Sequence, residues 1–350
     1  MTTPIDIDLL RSHIAAGIVR EQKHSSLPLS IFNYSERCQY DRLWDPVTLQ
    51  CRGLVMHGDR LVARPFRKFF NDTEHAPEEI PWHLPYQVAE KMDGSLLIVF
   101  HFDGEWRFAT RGSFESEQAV RGRDIFLRRY GDAPLDPAIT YLFEVIYPQN
   151  RIVVNYGARE DVVLLAMIDT ATGNEHEPAR GAELGLTVVR HLPPDADAKA
   201  LRSVIRDDEE GYVVRFTNGF RVKVKGQRYM ELHRLITGVS TRTIWEYLSE
   251  KKSFDEMLAV VPDEFAQWVR LETDAQVAAH KRLKQRAEAA YFAVKDLPDR
   301  KAQALAILAN FRDCSAGAFA LLDGKPIDLI LWKELYPEFR RPELVARIDA

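Results

Sequence analysis

The chain has 350 residues, of which 46 % are hydrophobic and 28 % are charged, and its formal net charge is −5. This is the composition of a globular protein with a sizeable core, and it excludes a low-complexity or repeat class. The mild negative charge neither favours nor excludes a nucleic-acid partner, because only local clusters of charge carry that information.

The three cysteines, Cys38, Cys51 and Cys314, are odd in number and form no Cys-x-x-Cys pair. This pattern disfavours structural disulfides and a cysteine-built zinc site, and it fits a reducing compartment. Residues 1–10 contain two aspartates and lack the basic start and apolar run of a signal peptide. No apolar stretch is long enough to cross a bilayer. We therefore expect a cytoplasmic protein without a membrane partner.

Up to about residue 238, short β-rich segments alternate with turn signals. Residues 88–102 predict two strands around Asp93-Gly94, and Asp103-Gly104 predicts a turn into a further strand over 105–110. Segments 141–147, 161–168 and 211–225 are also strand-like because they are rich in Val, Ile, Phe and Tyr. This half of the chain predicts antiparallel sheets with a few interspersed helices.

From residue 239 the pattern becomes helical. Ser253-Phe254-Asp255-Glu256 is a capping box, and Pro262 favours the first position of a helix that runs past Tyr291. The fold class predicted for the whole chain is therefore α+β. A domain of antiparallel sheets with flanking helices occupies residues 1–238, and an all-α C-terminal domain occupies residues 239–350.

A hairpin is predicted at Asn218-Gly219, because both positions accept a positive φ. A two-residue loop would pair Tyr212 with Lys225. Since side chains alternate along a strand, Lys223 and Lys225 would share one face. In this register the same face also holds Glu210, Tyr212 and Val214. Two lysines and a carboxylate on one face indicate a polyanion site, although solvated cross-strand ion pairs explain the same residues.

Lys91-Met92-Asp93-Gly94-Ser95 lies between two apolar segments, so Lys91 is expected at a turn beside the core. A free lysine is almost fully protonated at pH 7. Desolvation or nearby positive charge lowers the pKa of a lysine and makes its amine a nucleophile. We expect Lys223 and Lys225 to supply that charge if the hairpin packs beside Lys91. The alternative for this position alone is an ordinary turn lysine.

Lys91-x-Asp93-Gly94 resembles motif I of the covalent nucleotidyltransferase superfamily, which comprises DNA ligases, RNA ligases and mRNA capping enzymes. Three later segments resemble further motifs in the same order: Phe143-Glu144 (motif III), Glu210-Gly211-Tyr212-Val213-Val214 (motif IV) and Lys223-Val224-Lys225 (motif V). The order and spacing of the four segments carry the resemblance, more than any one of them.

Other segments narrow the resemblance to the RNA ligase 1 family of T-even bacteriophages. They are Phe32-Asn33-Tyr34, Cys51-Arg52-Gly53-Leu54-Val55, Arg64-Pro65-Phe66-Arg67-Lys68-Phe69-Phe70-Asn71 and Asn150-Arg151-Ile152-Val153-Val154. Arg111 departs from that family, which has a lysine after motif I, and the two side chains are not equivalent at a phosphate. The resemblance covers roughly residues 30–235.

The resemblance implies an ATP-dependent RNA ligase that joins a 3′-OH to a 5′-phosphate through lysyl–AMP and adenylylated-RNA intermediates. Lys91 would be the nucleophile, and Lys223 and Lys225 would contact phosphates. Glu210 would be catalytic and would hold a divalent cation, Mg²⁺ or Mn²⁺. The further residues expected at ATP or its phosphates are Arg52, Lys68, Glu144, Arg111, Tyr34, Phe70 and Gly94.

The sequence contains no Gly-x-x-x-x-Gly-Lys-Ser/Thr loop, so no polynucleotide kinase module is visible. We therefore expect a separate kinase and phosphatase to heal broken RNA ends before sealing, as in the repair of nicked tRNA. Two alternatives stay open. One is a non-catalytic nucleotide- or RNA-binding relative. The other is a DNA ligase or capping-type enzyme, which typically follows motif V with a β-barrel rather than helices.

Overall fold

The computed structural model describes residues 5–193, 196–197, 200–258, 261 and 263–342. The chain separates into two compact units, the first ending at Glu231 and the second beginning at Leu232. Pro262 and the side chain of Glu256, on which two helix-start predictions rest, lie outside the described residues.

The described strands and helices follow in chain order. The strands are β1 (Val19–Lys23), β2 (Ser30–Tyr34), β3 (Arg52–His57), β4 (Arg60–Ala63), β5 (Phe70–Asn71), β6 (Tyr86–Glu90), β7 (Ser95–Phe102), β8 (Glu105–Ala109), β9 (Ile139–Ile146), β10 (Asp161–Asp169), β11 (Gly211–Phe216) and β12 (Arg221–Lys225). The helices are α1 (Ile7–Ala15), α2 (Glu36–Tyr40), α3 (Glu117–Tyr130), α4 (Ala179–Glu183), α5 (Leu201–Val204), α6 (Gln227–Gly238), α7 (Thr241–Ser249), α8 (Asp255–Leu258), α9 (Asp263–Val294), α10 (Arg300–Asn310), α11 (Ser315–Leu322) and α12 (Asp328–Glu334).

The strands form three four-stranded sheets, which we call sheets A, B and C. Their strand orders are β1-β2-β3-β4 in sheet A, β5-β12-β11-β6 in sheet B and β10-β9-β7-β8 in sheet C. The pairing is antiparallel except between β12 and the two-residue strand β5. The predicted α+β class with antiparallel sheets is confirmed. The two strands predicted around Asp93-Gly94 are β6 and β7, but they belong to different sheets rather than to one hairpin.

Sheet C is the central layer of the first unit. One of its faces packs on sheet A through residues such as Ile31, Val55 and Phe100. The other face packs on α3 through residues such as Phe126 and Phe143. All eight residues of β9 are buried, because a strand covered on both faces has no solvent side on which to place polar residues. This buried layer is the rigid support on which β7 and β9 carry site residues.

Sheet B buries its own apolar face in a separate cluster. Val88 from β6, Val214 from β11 and Val222 from β12 lie in this cluster together with Leu201 from α5. The opposite face of sheet B carries Lys223 and therefore remains available for polar chemistry. The cluster fixes which way each strand faces, because a slip of one residue would bury the lysines instead of the valines.

The predicted register of the β11–β12 hairpin is wrong by one residue. Lys225 pairs with Gly211 and Lys223 pairs with Val213, while Tyr212 pairs with Val224. The loop has three residues rather than two and ends at Gly219, whose φ is +84°. Tyr212 and Val214 consequently face the buried cluster, not the lysines. Lys223 and Lys225 do share a face, as predicted.

The described part of the second unit consists of helices and their connections, as predicted. The 32-residue helix α9 packs on α10, α11 and α12, and small residues such as Ala287, Ala290 and Ala318 allow a close approach. In the part of the chain that the structure describes, no single helix is long and apolar enough to cross a membrane. The segments Arg300–Asn310 and Arg312–Leu322 reach that length and hydropathy only as a pair, bent by 109°.

Candidate active site

Lys91 lies in the short connection by which the chain passes from sheet B to sheet C. Its backbone N–H donates a hydrogen bond to the carbonyl oxygen of Gly211 at 2.9 Å, which extends the β6–β11 ladder by one residue. The next side chain, Met92, is buried with Val163 and Val189. The backbone of Lys91 is thus held between two packed sheets, and its side chain keeps 22 % exposure.

Asp93 connects this loop to two other segments of the chain through hydrogen bonds. Its carboxylate accepts hydrogen bonds from the amides of Val153 and Val154, each at 2.8 Å, and from the hydroxyl of Tyr229 at 2.9 Å. Its own amide donates to the hydroxyl of Tyr156 at 2.9 Å. Burial raises the pKa of Asp93 to about 6. Asp93 therefore shapes the loop through partners that are distant in sequence.

Gly94 and Glu144 form the next contact. The amide of Gly94 donates to Oε1 of Glu144 at 3.0 Å. A Cβ at Gly94 would lie 2.4 Å from the carbonyl oxygen of Val145, so the close approach of the loop to β9 requires glycine. Burial raises the pKa of Glu144 to about 7, although the ammonium of Lys91 opposes the shift.

Glu210 joins two lysines. Its Oε1 lies 2.7 Å from Nζ of Lys91 and 2.9 Å from Nζ of Lys225, and its side chain is only 2 % exposed. Strand alternation alone would place Glu210 on the face of Tyr212. Gly211, whose φ is +141°, interrupts the alternation at this point. Glu210 therefore reaches the lysines although the predicted register was wrong.

The pKa of Lys91 lies above its usual value, contrary to the prediction. Burial lowers the pKa of Lys91, but the negative charges of Glu210 and Glu144 outweigh it. In turn, Lys91 and Lys225 hold the pKa of Glu210 below its usual value despite burial. The prediction considered the nearby lysines and omitted the carboxylate that lies between them.

Lys223 is the lysine whose pKa is depressed. Burial lowers its pKa well below the usual value, and the positive charges of Arg52 and Lys91 act in the same direction. Its Nζ lies 4.9 Å from the centre of the Phe69 ring. An anionic ligand stabilises an ammonium that is buried and repelled by other positive charges, so the surroundings of Lys223 suit a phosphate.

A cavity of about 230 Å³ in the first unit brings most of the predicted residues together. The predicted residues that line it are Lys91, Gly94, Arg52, Arg111, Glu144 and Lys223. Glu210 is joined to this group by its ion pair with Lys91. Lys225 is joined in turn by its own ion pair with Glu210. Apolar side chains such as Val189 and Val213 form part of the wall. An apolar wall with a few converging charged groups is the usual form of a small-molecule site.

Tyr34, Lys68 and Phe70 form a second group beside this cavity. Nζ of Lys68 lies 5.3 Å from the ring centres of both Tyr34 and Phe70. The guanidinium of Arg111 lies 5.8 Å from the Tyr34 ring. Against the effect of burial, the charges of Arg111, Lys68 and Arg52 lower the pKa of Tyr34. Tyr34, Lys68 and Phe70 are not among the described residues that line the cavity, whose wall instead contains Phe66 and Phe69.

The predicted residues also suit a divalent cation shared with a substrate. Within the described ranges, no group of three or more His, Cys, Asp and Glu side chains is placed to hold a metal ion. Mg²⁺ is typically held by one or two carboxylates together with waters and substrate phosphates. The buried carboxylate of Glu210, beside the ammonium groups of Lys91 and Lys225, fits that pattern of ligation.

Sequence reasoning missed the tyrosines of the site. Tyr156 and Tyr229 hold the Lys91 loop from two sides through Asp93. The segment around Val153 carried a resemblance but no role, because nothing in the sequence pairs its amides with Asp93. These contacts arise only when residues 153–156, α6 and the Lys91 loop have been brought together.

A lysine in a charged cavity on antiparallel sheets, with motifs I, III, IV and V around it, defines the class of covalent nucleotidyltransferases. Within that class, the sequence model of the RNA ligase family matches residues 50–229, slightly more than half of the chain. The chain belongs to the RNA ligase family.

Several named proteins are similar in sequence. A putative bifunctional polynucleotide kinase/RNA ligase of Autographa californica nuclear polyhedrosis virus is 26 % identical over 70 % of this chain and 39 % of its own length. An RNA ligase of Rhodothermus phage RM378 is 22 % identical over 67 % of this chain and 70 % of its own. RNA ligase 1 of bacteriophage TS2126 is 32 % identical over 48 % of each. This chain thus spans 39 % of the length of the Autographa californica nuclear polyhedrosis virus protein.

Partial structural similarity is found to an archaeal ATP-dependent RNA ligase and to a putative ATP-dependent DNA ligase from Aquifex aeolicus. The first has a TM-score of 0.45 at 16 % identity and covers 71 % of this chain and 66 % of its own. The second has a TM-score of 0.46 at 16 % identity and covers 76 % of this chain and 70 % of its own.

Proposed function

We propose that the protein seals RNA ends in an ATP-dependent reaction that passes through AMP covalently bound to Lys91. The observation that carries the proposal is the position of Lys91. Its amine lies at a cavity whose wall includes five further cationic side chains, those of Arg52, Arg111, Arg215, Arg221 and Lys223. Six cationic side chains around one small cavity suit a polyphosphate, and membership of the RNA ligase family supports ATP as the nucleotide.

The proposed reaction has three steps. Nζ of Lys91 attacks the α-phosphorus of ATP, the bond to the bridging oxygen breaks, pyrophosphate leaves and the amine loses its proton. The 5′-phosphate of an RNA then attacks the same phosphorus and takes the AMP from Lys91. Last, an RNA 3′-OH attacks the activated 5′-phosphorus and AMP leaves. Each transfer concentrates negative charge on phosphoryl oxygens, which fixed cations stabilise.

Lys91 must exchange partners before the first step. Its raised pKa means that it is an ammonium paired with Glu210 in the ligand-free protein. Only the neutral amine is a nucleophile. The ion pair with Glu210 therefore has to break, and the proton has to leave, as the nucleotide binds.

The other charged residues have distinct proposed roles. Lys225 contacts the α-phosphate, since it shares Glu210 with Lys91 and so lies beside the attacking amine. Lys223, Arg52 and Arg111 bind the remaining phosphates. Glu144, which is fixed by the Gly94 amide, binds the ribose. Glu210 holds a divalent cation, Mg²⁺ or Mn²⁺, which when bound neutralises phosphoryl oxygens.

The physiological role that we propose is RNA repair, with nicked tRNA as a candidate substrate. The 350 residues contain no P-loop motif, so the kinase and phosphatase activities that produce 5′-phosphate and 3′-OH ends come from outside them. The helical second unit is the proposed element of RNA selection, since the residues of the cavity all belong to the first unit.

The intact mass of the purified protein after incubation with ATP and Mg²⁺ tests the proposal. The starting protein must first be shown to carry no AMP. The expected result is a gain of one AMP in the wild type and none in Lys91→Ala, with matching circular dichroism spectra. No gain with any divalent metal would exclude covalent catalysis and favour a nucleotide- or RNA-binding relative.

Substrate class is tested separately. A 5′-phosphorylated single-stranded RNA should be circularised or joined, and a DNA of the same sequence should react at least about tenfold more slowly if RNA is the substrate. Equal or faster sealing of DNA would make the protein a DNA ligase with the same first step.

A further inference from the structure

A basic groove adjoins the nucleotide cavity in the first unit. Its volume is about 620 Å³, and it lies between residues 64–70, residues 173–175 and the β11–β12 hairpin. Five residues line both the groove and the cavity: Phe66, Phe69, Glu175, Arg215 and Arg221. The groove and the cavity therefore meet, and a linear polymer that lies in the groove reaches the cavity that contains Lys91.

The charge of the groove is opposite to that of the whole chain. The described residues that line it include five cationic side chains, those of Arg64, Arg67, Lys68, Arg215 and Arg221, and one carboxylate, that of Glu175. The formal net charge of the whole chain is −5. A local excess of four positive charges in such a chain indicates an anionic ligand of some length.

Most of this positive charge has no ion-paired carboxylate of its own among the residues that the structure describes. Arg215 and Arg221 share the single carboxylate of Glu175. The guanidinium of Arg64 is held by the neutral carbonyl oxygens of Thr170 and Ala171. These contacts fix the arginines in place without neutralising the groove, so they prepare it for phosphates.

Arg67 differs from the other arginines of the groove. Its side chain is exposed. It follows Phe66, and the centre of the Phe66 ring lies 4.8 Å from the guanidinium carbon of Arg221. An exposed arginine at the edge of a basic groove contributes to ligand binding without supporting the fold. It is therefore the residue at which charge can be changed with least structural effect.

The groove also offers aromatic surfaces. His75 packs on Phe70 and Phe220, with ring centres 5.9 and 5.2 Å apart. The Nε2 atom of His75 is buried and has no hydrogen-bond partner in the described part of the chain. Cationic side chains interleaved with aromatic rings are the surface that single-stranded nucleic acids bind, through phosphates and stacked bases.

We propose that this groove binds the single-stranded segment of the RNA whose end enters the cavity for joining. The inference rests on the proposed ligase function and deepens it by locating the RNA strand on the first unit. Two sources of phosphate fit a basic groove, the RNA backbone and the β- and γ-phosphates of ATP. The size of the groove and its aromatic rings favour the RNA, and the test separates the two.

The test compares Arg67→Glu with Arg60→Glu in the full chain. Arg60 is an exposed arginine on β4 that is not among the described groove residues, so it controls for the change in net charge. Three quantities are measured. They are the dissociation constant of a fluorescent 5′-phosphorylated single-stranded RNA, the rate of lysyl–AMP formation against ATP concentration, and the sealing of a chemically pre-adenylylated RNA without ATP.

We expect Arg67→Glu to weaken RNA binding at least about tenfold and to reduce the slope of log affinity against log salt by about one. Sealing of the pre-adenylylated RNA should slow in parallel at sub-saturating RNA. Lysyl–AMP formation should stay within about twofold of wild type. Arg60→Glu should behave as wild type in all three.

The other outcomes overturn the inference in different ways. Unchanged RNA binding and sealing in Arg67→Glu would show that the strand does not lie in this groove. A raised requirement for ATP with unchanged RNA binding would assign the groove to the triphosphate. Failure of the wild type to form lysyl–AMP would reject the proposed function, while the RNA-binding comparison would still decide the groove.

Discussion

Glu210 places one negative charge between two lysines in a buried site, and the protonation of Lys91 depends on it. Removing this charge by Glu210→Gln leaves Lys91 beside Lys225 without its ion-pair partner, and only the weaker effects of Glu144 and Asp93 then favour the ammonium. Since burial and like charge both lower the pKa of a lysine, we expect the pKa of Lys91 to fall by at least about one unit.

Titration of ¹³Cε-lysine signals by NMR checks this expectation, with Lys91→Arg used to assign the resonance. Glu231→Gln removes an exposed carboxylate and is the matched control for net charge. A pKa of Lys91 that is the same in Glu210→Gln as in wild type would mean that Glu144 alone holds the ammonium.

Gly94 is the position in the Lys91 loop at which a side chain has no room. In Gly94→Ala the added Cβ would meet the Val145 carbonyl at 2.4 Å and Cγ of Glu144 at 3.1 Å. The loop must then move away from β9, which we expect to cost about 1–3 kcal/mol of stability and to slow lysyl–AMP formation at least about a hundredfold by displacing the amine.

Gly238→Ala provides the control, since nothing lies within 4 Å of its ideal Cβ. Denaturant unfolding and the rate of AMP attachment are measured on both variants. A Gly94→Ala protein that attaches AMP at the wild-type rate would show that the loop tolerates displacement and that its close fit to β9 is not part of the site.

Among the individual residues of the site, the sequence predicted the charged ones but not the neutral ones. Lys91, Glu144, Glu210 and Lys223 stand in short strings whose spacing is recognisable in one chain. Tyr229 does not, because its role depends on a single hydroxyl reaching Asp93 from α6. A hydrogen bond between residues 136 positions apart has no pattern in a single sequence.

Among the elements, the β11–β12 hairpin depends on two glycines with different tasks. Gly219 closes the loop with φ +84°, and nothing lies within 4 Å of its ideal Cβ. Gly211 turns the chain at the start of β11 with φ +141°, and a Cβ there would lie 2.1 Å from the carbonyl oxygen of Val224. Only Gly211 stands next to Glu210.

We therefore expect Gly211→Ala to abolish detectable lysyl–AMP formation and to cost more stability than Gly219→Ala. The change at Gly219 should cost roughly 1 kcal/mol, the price of a left-handed conformation for a residue with a Cβ, and should leave AMP attachment within about threefold. Thermal unfolding and intact mass after ATP treatment measure both effects. Equal losses in the two variants would contradict the special role given to Gly211.

The strands of sheet C and the hairpin were predictable because apolar and β-branched residues dominate them. The strand β1 was not predictable. Its sequence is Val-Arg-Glu-Gln-Lys, in which the last four residues are polar and exposed and only Val19 is buried. The hairpin register failed for a different reason. Asn218-Gly219 is typical of a two-residue loop, but the apolar face of Val214 and Val222 fixes pairing one residue away, and burial outweighs turn preference.

For the whole molecule, the raised carboxylate pKa values link stability to pH. The pKa of Glu144 is about 7 in the folded protein against 4.5 for the free group. Between those values the folded state binds more protons than the unfolded state, so the free energy of unfolding falls as pH rises. Asp93, whose pKa is about 6, acts in the same direction over the lower part of this range. Glu210, with a lowered pKa, acts below this range, and Lys91, with a raised pKa, acts above it.

We expect the ligand-free protein to lose about 2 kcal/mol of stability between pH 5.5 and pH 7.5 through Glu144. Glu144→Gln should remove most of this dependence, whereas the exposed Glu231→Gln should keep it. Urea unfolding at pH 5.5, 6.5 and 7.5 gives the comparison. A wild-type protein that is more stable at pH 7.5 than at pH 5.5 would mean that Glu144 is ionised at low cost in the folded state.

The last prediction concerns which part of the chain is sufficient for the first chemical step. The residues proposed for AMP attachment lie between Tyr34 and Lys225, and Tyr229 adds the hydroxyl that holds Asp93. The apolar clusters around sheets A, B and C are also built from residues that precede Tyr229 in the chain. We therefore expect a chain ending at Gly238, the last residue of α6, to fold and to form lysyl–AMP at a rate within about fivefold of the full chain.

A chain ending at Gly226 is the informative counterpart, because it keeps every proposed catalytic residue and removes α6 with Tyr229. It should lose AMP attachment, since Asp93 then has no hydroxyl donor in a buried position and the Lys91 loop is released. Restoring residues 227–238 with Tyr229→Phe should recover the fold but only part of the rate. If the shorter chain attaches AMP as well as the longer one, the loop is held by the Val153 and Val154 amides alone, and α6 belongs functionally to the helical unit.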